Sequence, residues 1–103
     1  MIQVTVTKKD SKYQKLSIMG HALYDDYGKD IVCAGVSSVV TTTINAILTF
    51  DKKYIYYLKE HDKLIIEINV HNEIVDNLIT NMLDMLKDIE EDYPNNIKIG
   101  KEN

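Results

Sequence analysis

The apolar residues of this chain change their spacing back and forth along its length, and that alternation limits the fold more tightly than any other feature. Ile2, Val4 and Val6 alternate with polar or β-favouring residues, which predicts a first strand. KKDSK reads as a charged turn, and Tyr13 to Met19 alternates loosely as the hairpin partner. From Ile31 to about Phe50 the period lengthens. Val36, Val40, Thr43, Ile44 and Ile47 recur at spacings of three and four, which gives one apolar helical face. The β-branched VVTTT stretch is a poor helix former, so a strand competes there; a buried helix tolerates such residues because packing outweighs propensity. Tyr54 to Lys59 and Leu64 to Val70 return to strand character around a charged turn. Asn72 is placed to cap a second helix, whose stripe is Val75, Leu78, Ile79, Met82, Leu86 and Ile89. Tyr93-Pro94 ends it, since the residue before proline is pushed out of the helical region. Ile97 and Ile99 alternate in a short last strand. The order ββαββαβ predicts an α+β fold, a small mixed sheet with two helices, as a single domain over residues 1–103.

Composition narrows the functional classes. Lys and Arg number 12 against 16 Asp and Glu, for a formal net charge of −4. No Lys-rich or Arg-rich run stands out, which argues against direct binding of nucleic acid through phosphate neutralisation. One cysteine cannot form an internal disulfide, so a disulfide-stapled secreted scaffold is excluded. MIQVTVTKKD lacks the apolar stretch of a signal peptide, and no uninterrupted apolar run approaches transmembrane length. The expectation is a protein of a reducing compartment, the cytoplasm, with no membrane partner.

The candidate chemistry lies in GHALYDDYGKDIVCAGVSS, residues 20–38. Gly20 to Lys29 reads as a loop with glycine freedom at Gly20 and Gly28. Asp30 precedes the first helical residues as a candidate N-cap, which sets Cys33 in the first turn. Amides there lack intrahelical partners and the dipole adds partial positive charge, so both favour a thiolate over a thiol. The loop can fold back to bring His21 to the sulfur as its base. Open first-turn amides could hold a developing oxyanion. Ser37, one turn after Cys33, could orient His21 or hold substrate, and Asp30 could serve as cap or as partner of His21 or the loop. Against this, a lone cysteine is commonly a small buried hydrophobe, and a helical serine commonly bonds its own backbone. His21, Cys33, His61 and His71 lack the paired spacing of a zinc site, so no metal is assigned. Tyr54, Tyr56 and Tyr57 could line a peptide groove or a dimer contact, or simply occupy both faces of a strand.

Gly20-His21-Ala22, followed by Gly28-Lys29-Asp30-Ile31-Val32-Cys33-Ala34-Gly35-Val36-Ser37-Ser38, resembles the signature of the ribosomal-processing cysteine proteases called Prp. The likeness covers the chain in length and element order, with the detailed match between about residues 18 and 38. It implies a homodimer; no cofactor is assigned. It also implies an endopeptidase that removes the N-terminal extension from the precursor of large-subunit ribosomal protein twenty-seven. Cys33 would be the nucleophile and His21 its base. Asp30, Ser37, Gly20 and Gly28 would support the site or bind substrate, and Ala22 to Lys29 would act as a lid hinged at Gly28. The rival reading is a non-catalytic module that binds a ribosome-assembly partner, with Cys33 packed and unreactive.

Overall fold

The computed structural model describes residues 1–26 and 29–102. Its elements are β1 (Ile2–Lys9), β2 (Lys12–Met19), α1 (Ile31–Phe50), β3 (Ile55–Glu60), β4 (Lys63–Ile68), α2 (Glu73–Asp92) and β5 (Ile97–Glu102). The expected ββαββαβ order and α+β class are therefore observed. The five strands form one sheet in the order β3-β4-β2-β1-β5. All neighbours are antiparallel except β1 and β5, which run parallel, so the sheet is mixed.

Turn chemistry sets the first hairpin. Asp10 and Ser11 both have positive φ, 53° and 64°, between the paired residues Lys9 and Lys12. Positive φ at both central residues matches the right-handed twist of the flanking strands. Alternation then assigns the faces. Ile2, Val4 and Val6 are buried with Leu16, Ile66, Ile68, Ile55 and Ile97, and the core continues into Val32, Val36, Val40, Ile44 and Ile47 of α1 and Val75, Ile79, Met82 and Leu86 of α2. Both helices thus cover one face of the sheet, in two layers.

The doubt over VVTTT resolves as helix. Each β-branched residue costs about 0.5 kcal/mol of propensity, whereas burying a valine or isoleucine side chain gains about 1.5–3 kcal/mol. The buried Thr43 satisfies its hydroxyl on the Val39 carbonyl at 2.9 Å. By length and composition α1 would also suffice to cross a membrane, although in this fold its Val32, Val36, Val40, Ile44 and Ile47 side chains belong to the core shared with the sheet.

The layers are offset. α2 packs beside α1 and over β5, at one edge of the sheet. The opposite edge, the β3–β4 hairpin, faces α1 across a groove of about 980 Å³. Ile55, Tyr57 and Lys59 point to the helix side of β3, opposite Ile68, Ile66 and Leu64. Tyr57 therefore lines the groove, while Tyr56 and Leu58 are exposed on the other face.

Candidate active site

α1 begins where Asp30 ends the loop, and Asp30 does more than cap. Its Oδ1 accepts from the Val32 and Cys33 amides, both at 3.0 Å. Its Oδ2 accepts from the Tyr24 amide at 2.9 Å and the Asp25 amide at 3.3 Å. One carboxylate therefore ties the helix start to the loop before it. The side chain is only 8 % exposed. Burial alone would raise its pKa, but the backbone amides of Cys33, Tyr24, Asp25 and Val32 outweigh burial and hold it below the ordinary aspartate value. Asp30 is thus cap and loop partner at once, and its recorded bonds do not reach His21.

The same bonds correct the expectation of open first-turn amides. Val32 and Cys33 spend their N–H groups on the Asp30 side chain, and Ala34 donates to the Asp30 carbonyl at 3.1 Å. A helix start that is fully capped has little left for an oxyanion; of these amides only that of Ile31 receives no acceptor from Asp30.

Cys33 is half-buried, packs against the core and lines the groove. Its Sγ accepts from the Ala22 amide at 3.3 Å. Since Ala22 follows His21, the bond draws the histidine's backbone to the sulfur, and both residues line the groove. The imidazole itself is engaged elsewhere: its Nε2 lies 2.8 Å from Oδ1 of Asp62, in the turn between β3 and β4. The Asp62 carbonyl also accepts from the Gly20 amide at 2.9 Å. His21 and Asp62 are 51 % and 45 % exposed, and ion pairs so open contribute about 0.2–1 kcal/mol to stability. The fold does not depend on this pair.

Gly20 has a backbone reason to be glycine. Its φ is +90°, and a Cβ would meet the Met1 carbonyl oxygen at 2.6 Å. Leu23 is the converse case: φ is 57° in a side chain 77 % exposed. The surrounding loop is anchored from the end of the chain, because Asn96 Nδ2 donates to the Ala22 carbonyl at 2.9 Å and the Tyr24 and Tyr93 rings meet edge to face at 5.1 Å. Gly28 lies outside the described residues. Ser37 is exposed and lines the groove one turn beyond Cys33.

The sequence alone assigns no site role to Asp62 or Asn96, and marks Tyr93 only as the end of α2. They lie far along the chain in stretches without a motif, and only sheet topology brings them to the loop. His61 and His71 are exposed as expected. His61 Nε2 is 3.8 Å from Asp62 Oδ1, and His71 Nε2 is 3.1 Å from the Tyr13 carbonyl. Among the described residues, no group of three or more His, Cys, Asp or Glu side chains could hold a metal ion.

Comparison with known proteins matches this arrangement to one family. The family model described as cysteine protease Prp matches residues 1–98. The ribosomal processing cysteine protease Prp of Staphylococcus aureus is 36 % identical over 104 residues, covering 97 % of this chain and 98 % of the relative. The protein of the same name from Bacillus subtilis is 30 % identical over 111 residues, covering 96 % of each. A crystal structure of the essential ribosomal processing protease Prp from S. aureus, in complex with a covalently linked product peptide, superimposes with a TM-score of 0.93 at 31 % identity, covering 99 % of this chain and 100 % of that one.

Proposed function

The chain belongs to the Prp family of ribosomal-processing cysteine proteases, and on that premise we propose that it removes the N-terminal extension of the ribosomal protein twenty-seven precursor by Cys33–His21 catalysis. The observation that carries the residue assignment is the bond from the Ala22 amide to Cys33 Sγ. It joins the two halves of the GHA…DIVCAGVSS signature at the wall of a groove of about 980 Å³. A buried, inert cysteine would have no reason to face that groove.

In the proposed reaction the Cys33 thiolate attacks the scissile carbonyl carbon, and a C–S bond forms as the carbonyl electrons move to oxygen. When the tetrahedral species collapses, the C–N bond breaks and the His21 imidazolium gives its proton to the departing amine. His21 then takes a proton from water, whose oxygen attacks the thioester. The C–S bond breaks, and the product carboxylate leaves with the thiolate restored. Asp30 holds the loop and the helix start in one register throughout, Gly20 supplies the turn before His21, and Ser37 faces substrate from the next helical turn. The loop from Ala22 covers bound peptide in this proposal; the hinge read at Gly28 lies outside the described residues. A reducing cytoplasm, where the lone thiol stays unpaired, and a homodimer belong to the same proposal.

The test is incubation with the precursor, followed by measurement of product mass. The expected result is loss of the N-terminal segment by the parent enzyme, no product from Cys33→Ala, and a severe loss of rate in His21→Ala. Full activity in Cys33→Ala would rule out the mechanism, and full activity in His21→Ala would remove the base.

A further inference from the structure

His21 has a partner that its own sequence neighbourhood does not supply. We infer that Asp62, carried on the β3–β4 turn, is the positioning residue for His21; this rests on reading His21 as the base. Asp62 makes two separate contacts to the site. Its carbonyl accepts from the Gly20 amide at 2.9 Å, which fixes where the chain leaves β2 just before the histidine. Its carboxylate Oδ1 lies 2.8 Å from Nε2 of the ring, which fixes how the imidazole is turned.

The chemistry of the pair assigns the ring nitrogens. An ionised carboxylate only accepts, so Nε2 carries a proton. Nδ1 is left as the nitrogen that takes the thiol proton and later passes it to the amine. An imidazole with only its two side-chain torsions to settle it samples several orientations. Anchoring Nε2 limits them before substrate arrives and leaves Nδ1 free for the proton transfer. The carboxylate also faces the positive charge that develops when His21 is protonated, the role an acidic third residue plays beside a catalytic histidine. His61 lies 3.8 Å from the same Oδ1, but its side chain is almost wholly exposed and makes the longer contact, so His21 holds the carboxylate.

The geometry separates positioning from support. Substitution of Asp62 removes the carboxylate but leaves the backbone bond to Gly20, so the loop keeps its attachment. Steady-state cleavage of a precursor peptide by Asp62→Ala and Asp62→Asn, with Cys33→Ala, His21→Ala and thermal melting alongside, tests the inference. Asp62→Ala should lower kcat by about 10- to 100-fold, a share of the 10²–10⁴ that general acid–base catalysis supplies, with KM within about two-fold and an unchanged melting temperature. Asp62→Asn, whose Oδ1 still accepts from Nε2–H but carries no charge opposite the imidazolium, should recover only part of the lost kcat. Parent-like kcat in Asp62→Ala beside an inactive His21→Ala would overturn the positioning role while leaving the catalytic reading intact. Equal impairment of Ala and Asn variants through a raised KM would also overturn it, because Asp62 would then be a wall of the groove. Full activity in Cys33→Ala or His21→Ala would remove the catalytic reading itself.

Discussion

The two helices of this protein start with the same device put to different use. At α2, Asn72 accepts one bond, from the Val75 amide at 2.9 Å, and the cap ends there. At α1, Asp30 caps with one oxygen and grips the preceding loop with the other. Asn offers a single acceptor oxygen, whereas a carboxylate offers two. The second oxygen turns a local stop signal into a clasp across the site loop, and it explains why an acid stands at one helix start and an amide suffices at the other.

The largest effect that can break this contrast is removal of each cap. Asp30→Ala strands two helix amides and frees the loop, with an expected loss of about 2–4 kcal/mol from the cap and its charge-assisted bonds together, and cleavage falling by two orders of magnitude or more. Asn72→Ala should cost about 1 kcal/mol, which in a domain of this size lowers the melting temperature by about 4–8 °C, with kcat/KM unchanged. Chemical denaturation and peptide cleavage measured on both variants decide it. Equal losses of activity at the two caps would mean that the clasp has no bearing on the site.

Asp30→Asn sharpens the comparison by making α1 resemble α2. Asn keeps an acceptor for Val32 and Cys33 but presents an amide where Tyr24 and Asp25 donate. Stability should fall by about 1–2 kcal/mol, as hydrogen bonds to a charged acceptor are lost, and activity should fall more than stability explains. The pH dependence has a definite sign. Because the Asp30 pKa is held down in the folded chain, its contribution is complete above the unfolded aspartate value of about 3.9 and is lost as pH falls through the folded value. The stability gap between parent and Asp30→Asn should therefore be constant near neutrality and close under acid. The Asn72→Ala gap should stay flat, since Asn72 does not titrate. A gap at Asp30 that widens on acidification would contradict the assignment of its charge.

These contrasts also mark how far the sequence could be read. Both caps, both helices and the alternating strands follow from local spacing, because periodicity of 2 or 3.6 and a cap residue are properties of neighbours in the chain. His21 and Cys33 were legible from residue type and from their place in the signature. The second oxygen of Asp30 was not, because its partners depend on how the loop folds back. Asp62, Tyr93 and Asn96 were less legible still. They reach residues 20–24 across separations of 42, 69 and 74 positions through the ordering of strands in the sheet, and nothing in EHDK or YPNN reports that ordering. The filled first-turn amides were missed for a related reason: a good cap closes the donors that an oxyanion would need.

The smallest expected effect tests what the clasp sustains. Leu23 sits at φ 57° between His21 and the clasped amides of Tyr24 and Asp25, and among the described residues the approach to α2 contains no such position. A left-handed leucine costs about 1–2 kcal/mol, whereas glycine takes that conformation freely at a cost of about 0.5–1 kcal/mol in unfolded-chain entropy. Leu23 is too exposed for its side chain to lose much packing, so Leu23→Gly should leave the protein about as stable or up to about 1 kcal/mol more stable. The informative measurement is the double-mutant cycle with Asp30→Asn. If the Oδ2 bonds hold the strained turn, the benefit of glycine should shrink by about 0.5 kcal/mol once they are gone, because the freed loop relaxes on its own. Strict additivity would assign the turn to the anchor that Asn96 places on the Ala22 carbonyl, and the acid at the start of α1 would then differ from the amide at α2 only in capping a helix more tightly.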